Sequence, residues 1–183
     1  MTILHIDSSI TGDNSASRAI SRSILDQLRT QTPASRVVSR DLVADPLPHL
    51  TLASFNDQEG LEEFLGADTV VIGAPMYNFT LPTQLKAWID RIVVAGTTFQ
   101  YGANGPEGLA TGKRVIIAVA RGNVYSGEAP AAALEHLETY LRGVFNFIGI
   151  EPEFVVAEGL GISPEHRETA IKHALGETVQ LAA

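Results

Sequence analysis

The 183-residue chain has no cysteine, which excludes disulfides, thiolate catalysis, cysteine-ligated zinc and iron–sulfur clusters. It is also short of basic charge, with 13 Lys and Arg against 21 Asp and Glu and a net charge of -8. Nucleic-acid binding draws on a Lys/Arg surplus, so no nucleic-acid partner is expected. A single phosphate on a small ligand is still allowed, because helix N-termini and backbone amides hold phosphate without basic side chains. No apolar run approaches the ~20 residues that span a bilayer, so no membrane partner is expected either. The start, Met1-Thr2-Ile3-Leu4-His5-Ile6-Asp7, has no basic segment and reaches an acid at once. That is not a signal-peptide pattern, and a cytoplasmic protein is expected. Without a secretion signal, the glycosylation-like triplet Asn78-Phe79-Thr80 carries no meaning. The five histidines (His5, His49, His136, His166, His173) lack metal-ligand spacing, so no metal site is expected. His5 reads as a buried, hydrogen-bonded residue and the others as surface residues.

What is present is an alternation of strand-like and helix-like segments. Ile3 to Ile6 is a short apolar run. Ser15 or Ser17 then opens a helix with Ile20, Ile24 and Leu28 on one face. Arg36 to Asp41 reads as a more exposed second strand, followed by a loop around Pro46 and Pro48. A short helix with Leu61, Phe64 and Leu65 leads into the third strand, Thr69 to Gly73. A helix from about Pro82 to Val94 carries Leu85, Trp88, Ile89, Ile92 and Val93 on one face. Thr97 to Lys113, rich in glycine and aromatics, reads as an ordered excursion. Arg114 to Ala120 is continuously hydrophobic, as a strand covered on both faces should be. A long helix with Leu134, Leu137, Leu141, Val144, Phe145 and Ile148 follows, then a fifth strand, Glu153 to Ala157. A last helix runs from about Pro164 towards Gln180. Strand–helix alternation implies right-handed crossovers and an α/β doubly wound parallel sheet with helices on both faces. Five such strands suggest the order 2-1-3-4-5 in one domain spanning residues 1–183.

In such a sheet ligands bind at the carboxyl ends of the strands, so the loops there matter most. The loop after the first strand, Asp7 to Arg18, offers Ser8, Ser9, Thr11, Asn14, Ser15 and Ser17 before a helix. Plain helix capping needs one such residue, and an anion site would use several, so both readings stand. The loop after the third strand, Ala74-Pro75-Met76-Tyr77-Asn78-Phe79, suits a flat aromatic ligand, with amides for a ring edge and apolar side chains for its face. A locally packed surface turn explains the same residues. The loop after the fourth strand, Ala120-Arg121-Gly122-Asn123-Val124-Tyr125-Ser126-Gly127, is either an ordinary glycine turn or the other wall of one pocket. Rival motifs fail. Gly108 to Arg114 lacks phosphate-loop spacing, Gly102 to Gly108 is no dinucleotide fingerprint, and no nucleophile elbow is present. Asp7 lacks the second carboxylate of a phosphoacceptor site and reads as structural.

Together these loops resemble the FMN-dependent NADH-azoreductase family, also described as FMN-dependent NADH:quinone oxidoreductases, of flavodoxin-like fold. The resemblance covers nearly the whole chain. It is strongest from Ala74 to Phe79 and from Thr83 to Arg91, and continues through Ala95 to Tyr101, Gly105 to Leu109, Gly112-Lys113 and Ala157-Glu158-Gly159. It implies one FMN per subunit. Ser9, Ser15, Ala16 and Ser17 would hold its phosphate, Met76, Tyr77, Asn78 and Phe79 would line its ring, and Ala120, Arg121, Gly122 and Asn123 would meet its pyrimidine edge. It further implies a homodimer with each flavin near the subunit boundary, and a substrate slot shaped by Tyr101, Tyr125 and Phe147. The implied activity is ping-pong transfer of two electrons from NADH, or NADPH, through FMN to quinones and azo compounds, with no obligatory acid or base residue. No extra arginine pair for a 2′-phosphate is evident, which leans towards NADH. A flavodoxin-type carrier without a substrate of its own is the alternative. Two departures bear on the substrate pocket: the family's Ser-Arg-Gly-Gly reads Ala120-Arg121-Gly122-Asn123, and the segment His49 to Glu59 is short.

Overall fold

In the computed structural model, which describes residues 1–54 and 58–181, the core is a five-stranded parallel sheet. Its strands are β1 (Thr2–Asp7), β2 (Arg36–Asp41), β3 (Thr69–Pro75), β6 (Arg114–Ala120) and β7 (Glu153–Ala157), in the order β2-β1-β3-β6-β7. With the hairpin strands β4 (Phe99–Gly102) and β5 (Gly105–Gly108) set aside, this is the expected order 2-1-3-4-5. Residues 55–57 of the shortened segment 49–59 lie outside the described residues.

The helices are α1 (Ala16–Gln31), α2 (Glu59–Leu65), α3 (Thr83–Ile92), α4 (Glu138–Phe147) and α5 (Pro164–Leu181). One face of the sheet packs on α1 and α5, around Ile3, Ile20, Ile24, Val71, Ile116 and Val155. The other packs on α3 and α4, around Leu4, Val70, Leu85, Trp88, Ile117, Leu141 and Phe145. The continuous apolar run of β6 follows from this cover: every residue from Val115 to Ala120 is buried. On α3 the spacing of Leu85, Trp88, Ile89 and Ile92 puts four almost fully buried side chains on one face. Each contributes roughly 1.5–3 kcal/mol by leaving water.

One expectation needs correction and another gains detail. Leu134 is not in the long helix but in a separate 3-10 turn, Ala132–Leu134, and is 43% exposed. The cause is Glu135, whose carboxylate takes the N–H groups of Leu137, Glu138 and Thr139 and so sets the start of α4. The excursion from Thr97 to Lys113 contains the β4–β5 hairpin, which is packed on the end of α4: Ala110 N–H donates to the Ile148 carbonyl at 3.0 Å. Of the two capping candidates for α1 it is Ser15 that caps, accepting the Arg18 N–H at 3.2 Å. No helix among the described residues is long and apolar enough to cross a membrane.

Candidate active site at the carboxyl edge of the sheet

Three turns meet where the strand order reverses. Beneath the first lies a buried polar network: Ser21 donates to Asp7 Oδ1 at 2.9 Å and sits 3.1 Å from His5 Nε2. Burial holds the His5 pKa below its ordinary value, against the pull of Asp7, so His5 is neutral at pH 7. A Cβ at Gly73 would fall 2.5 Å from Asp7 Oδ1, so a bare backbone is needed there. His5 and Asp7 are thus structural, as the sequence suggests, and the other histidines are exposed.

The first turn is tied to the second. Ser8 donates to the Gly73 carbonyl at 2.7 Å. The Tyr77 hydroxyl lies 3.2 Å from Ser9 Oγ and accepts the Ile10 N–H at 3.1 Å. At the start of α1 the buried hydroxyls of Ser15 and Ser17 stand 3.1 Å apart. Hydroxyls gathered at a helix N-terminus face the positive end of its dipole, which favours an anion.

The second turn reverses sharply. Tyr77 and Thr80 exchange backbone hydrogen bonds of 2.9 and 3.2 Å around Asn78 and Phe79. Both central residues have positive φ, 47° and 72°, the pattern of a type I′ turn. Asparagine tolerates this region, whereas phenylalanine is strained in it. The strain presents two backbone N–H groups and a 43%-exposed Phe79 ring at the turn's tip. Those N–H groups have no acceptor among the described residues.

The third turn lies beside the second, since Met76 N–H donates to the Ala120 carbonyl at 2.8 Å. Its own carbonyls are engaged from behind: Arg121, Gly122 and Asn123 accept from Leu160, Gly161 and Gly159 at 2.7–3.2 Å. The Asn123 side-chain oxygen takes the Val124 N–H at 2.8 Å. Glu158 holds the far side, accepting from Tyr125 N–H at 2.9 Å and from the Ser126 N–H and hydroxyl. Burial raises the Glu158 pKa, but the Ser126 and Tyr125 donors and Arg121 outweigh it, leaving the carboxyl below its ordinary value.

Ser9, Ser15, Ala16, Ser17, Met76 to Phe79, Ala120 to Asn123 and Tyr125 are therefore gathered on one edge of the sheet. The Arg121 side chain is the exception within this group. It runs under the turn and is buried at 3% exposure, with its guanidinium 3.2 to 3.7 Å from Glu158, Glu135 and Glu138. Tyr101 and Phe147 are not in the group. They cluster with Phe99, at ring distances of 5.7 Å (Phe99–Tyr101) and 4.7 Å (Phe99–Phe147), beside the C-termini of α3 and α4. Helices that begin at the carboxyl edge of a parallel sheet end at the opposite edge, so this cluster is remote from Tyr125 in the same chain. The sequence reading missed Arg18, Glu135 and Glu158, which organise the turns; only their charge beside Gly- and Ser-rich loops could have marked them.

Fold and site together define a doubly wound α/β protein whose carboxyl edge sets buried hydroxyls at a helix N-terminus next to a strained turn with an exposed aromatic. The chain belongs to the family described as flavodoxin-like fold, whose model matches residues 1–181. It is 54% identical to FMN-dependent NADH:quinone oxidoreductase 2 of Bradyrhizobium diazoefficiens, with 100% of each chain covered. It is 52% identical to an FMN-dependent NADH:quinone oxidoreductase of Methylorubrum extorquens, again over 100% of each. Among solved structures it is similar to an azoreductase from Bacillus anthracis, with a TM-score of 0.91 and 30% identity, covering 100% of this chain and 98% of that one. It is also similar to an FMN-dependent NADH-azoreductase of the same species in complex with FMN, with a TM-score of 0.85 and 25% identity over 100% of both.

Proposed function

We propose that the chain is an FMN-dependent NAD(P)H oxidoreductase that takes two electrons from NADH and passes them to quinones and azo compounds in ping-pong order. The observation that carries this reading is the convergence of the three turns, locked by the Tyr77 hydroxyl onto Ser9 and Ile10. The residues fit the cofactor's two chemistries. Buried hydroxyls at a helix N-terminus suit a phosphate, and a strained turn with uncommitted N–H groups beside an exposed aromatic suits a hydrogen-bonding ring. Ser9, Ser15, Ala16 and Ser17 would hold the phosphate. Met76, Tyr77, Asn78 and Phe79 would line the ring, and the backbone of Ala120, Arg121, Gly122 and Asn123 would meet its pyrimidine edge. FMN, when bound, supplies the two-electron chemistry, and the protein orients it and excludes competing reactions. This reading requires no obligatory acid or base side chain, because the redox chemistry belongs to the cofactor.

The whole chain acts as a single FMN-binding domain. The substrate slot needs a second copy. Tyr125 lies at the carboxyl edge of the sheet, while Tyr101, 76% exposed, and Phe147 lie at the other. A homodimer that sets the Phe99–Tyr101–Phe147 cluster of one chain over the turns of the other completes a slot that neither chain has alone. A cytoplasmic location accords with NADH as donor, since that donor is kept inside the cell. The deciding experiment is an absorbance spectrum of the purified protein during NADH titration, followed by a quinone and azo-dye panel. Yellow protein that NADH bleaches without a separate reductase, and that quinone recolours, is the expected result. Failure to bleach would favour the electron-carrier alternative. Protein that takes up no FMN would end both readings.

A further inference from the structure

Arg18 stands in the first turn of α1, yet its side chain folds back under the Ser9 turn. Nε and Nη2 donate to the Ser9 carbonyl at 3.2 and 2.8 Å. Nη1 and Nη2 donate to the two oxygens of Asp41, the last residue of β2, at 2.7 and 2.9 Å. Asp7 lies 3.7 Å from Nη1. The guanidinium thus spends its planar fork on one carboxylate and one backbone carbonyl, a geometry that lysine cannot copy.

The consequence lies in the next peptide. A trans peptide is planar, with its C=O and N–H on opposite sides. Holding the Ser9 oxygen on Arg18 throws the Ile10 N–H to the far side, where it meets the Tyr77 hydroxyl at 3.1 Å. The same hydroxyl contacts Ser9 Oγ, which also lies 3.0 Å from Thr11 Oγ1. With the peptide reversed, a carbonyl oxygen would face the hydroxyl-lined side of the turn and repel any anion there. In the observed orientation, N–H and O–H groups face it instead.

We infer that Arg18, fixed by Asp41, is the positioning residue that locks the Ser9–Ile10 peptide with its carbonyl turned away from the phosphate site, and so sets this chain's preference for a phosphorylated flavin over an unphosphorylated one. The inference rests on the FMN reading above and adds the device that makes the first turn selective. Arg18 does not touch the phosphate itself. The backbone hydrogen bonds between Tyr77 and Thr80, in the turn that faces the ring, do not involve Arg18.

The test titrates apoprotein with FMN and with riboflavin by fluorescence quenching, in the wild type and in Arg18→Met, Arg18→Lys and Asp41→Asn. Wild type should bind FMN more tightly than riboflavin. Arg18→Met should weaken FMN by about 10- to 100-fold and leave riboflavin within about twofold, the size expected for losing charge-assisted hydrogen bonds. Arg18→Lys should fail to restore FMN binding, and Asp41→Asn should fall between wild type and Arg18→Met. Retention of the FMN-to-riboflavin ratio in the Arg18 variants would overturn the inference, and so would a parallel loss of both affinities, which marks a general scaffold role. Should Arg18→Met not fold, the ratios in Arg18→Lys and Asp41→Asn decide in the same way. Wild-type protein that binds neither flavin would instead sink the FMN reading.

Discussion

At the scale of single residues, the site is organised by arginines that are not free to bind an anion. Arg121 is enclosed by three glutamates. Two of these act on backbone: Glu135 caps α4, and Glu158 holds Tyr125 and Ser126. His136, next to Glu135, donates its N–H to the Phe79 carbonyl at 3.0 Å, so the second and third turns share one buried charge. Truncating Arg121 would leave three partly buried carboxylates facing one another without the cation between them, a costly change. Phe79 is the opposite case, a residue strained for what it presents. Phe79→Gly relieves a positive φ of 72° but adds backbone entropy. These effects offset, so thermal melts should show stability within about 1 kcal/mol of wild type, while FMN titration shows roughly tenfold weaker binding from the lost ring contact. Asp41 gives a pH prediction. The hydrogen bonds from Arg18 hold its pKa at about 2, below the ordinary 3.8. A depressed folded-state pKa means the unfolded chain takes the proton first. The stabilisation is complete above 3.8 and is lost as pH falls through about 2. Urea midpoints over that window should drop more steeply for wild type than for Asp41→Asn.

At the scale of elements, long periodic segments announce themselves and irregular ones do not. Burial on two faces leaves the unbroken run Val115 to Ala120, and one buried helix face leaves Leu85, Trp88, Ile89 and Ile92, so β6 and α3 are legible as patterns. The hairpin strand Gly105-Pro106-Glu107-Gly108 has no alternation to read, because it is held by packing rather than by propensity. The apolar spacing of Leu134 with Leu137 and Leu141 mimics one helix, and only the side-chain cap from Glu135 reveals the break. In the site, Ser, Gly and aromatic residues of the turns are visible as composition. Arg18 is not, because its partner Asp41 is 23 residues away on another strand. Gly108 shows what packing demands of the hairpin: a Cβ there would meet the Gly149 nitrogen at 2.1 Å. Backbone cannot yield as a side-chain tip does. Gly108→Ala should therefore destabilise the fold by about 1–3 kcal/mol, read as a lower denaturation midpoint. Gly143→Ala, with open space around the added methyl, is the control that should not.

At the scale of the whole molecule, the proposed homodimer makes the two ends of the sheet complementary halves of one slot. The turns at the carboxyl edge end in exposed Phe79, and the opposite edge ends in exposed Tyr101. A slot built across two chains makes a prediction that a slot within one chain does not. Take one variant with the ring-facing turn disabled, Phe79→Gly with Asn78→Ala, and a second with Tyr101→Ala, each purified and inactive or nearly so with quinone. Unfold and refold them together so that subunits exchange. In a mixed dimer, the intact turn of one chain faces the intact Tyr101 of the other, and both lesions fall together in the second site. Random pairing makes half of the dimers mixed, each with one sound slot, so activity should return to roughly a quarter of the wild-type level. The refolded single variants provide the baseline. If each slot drew on one chain only, every site in the mixture would carry a lesion and no activity beyond that baseline would appear.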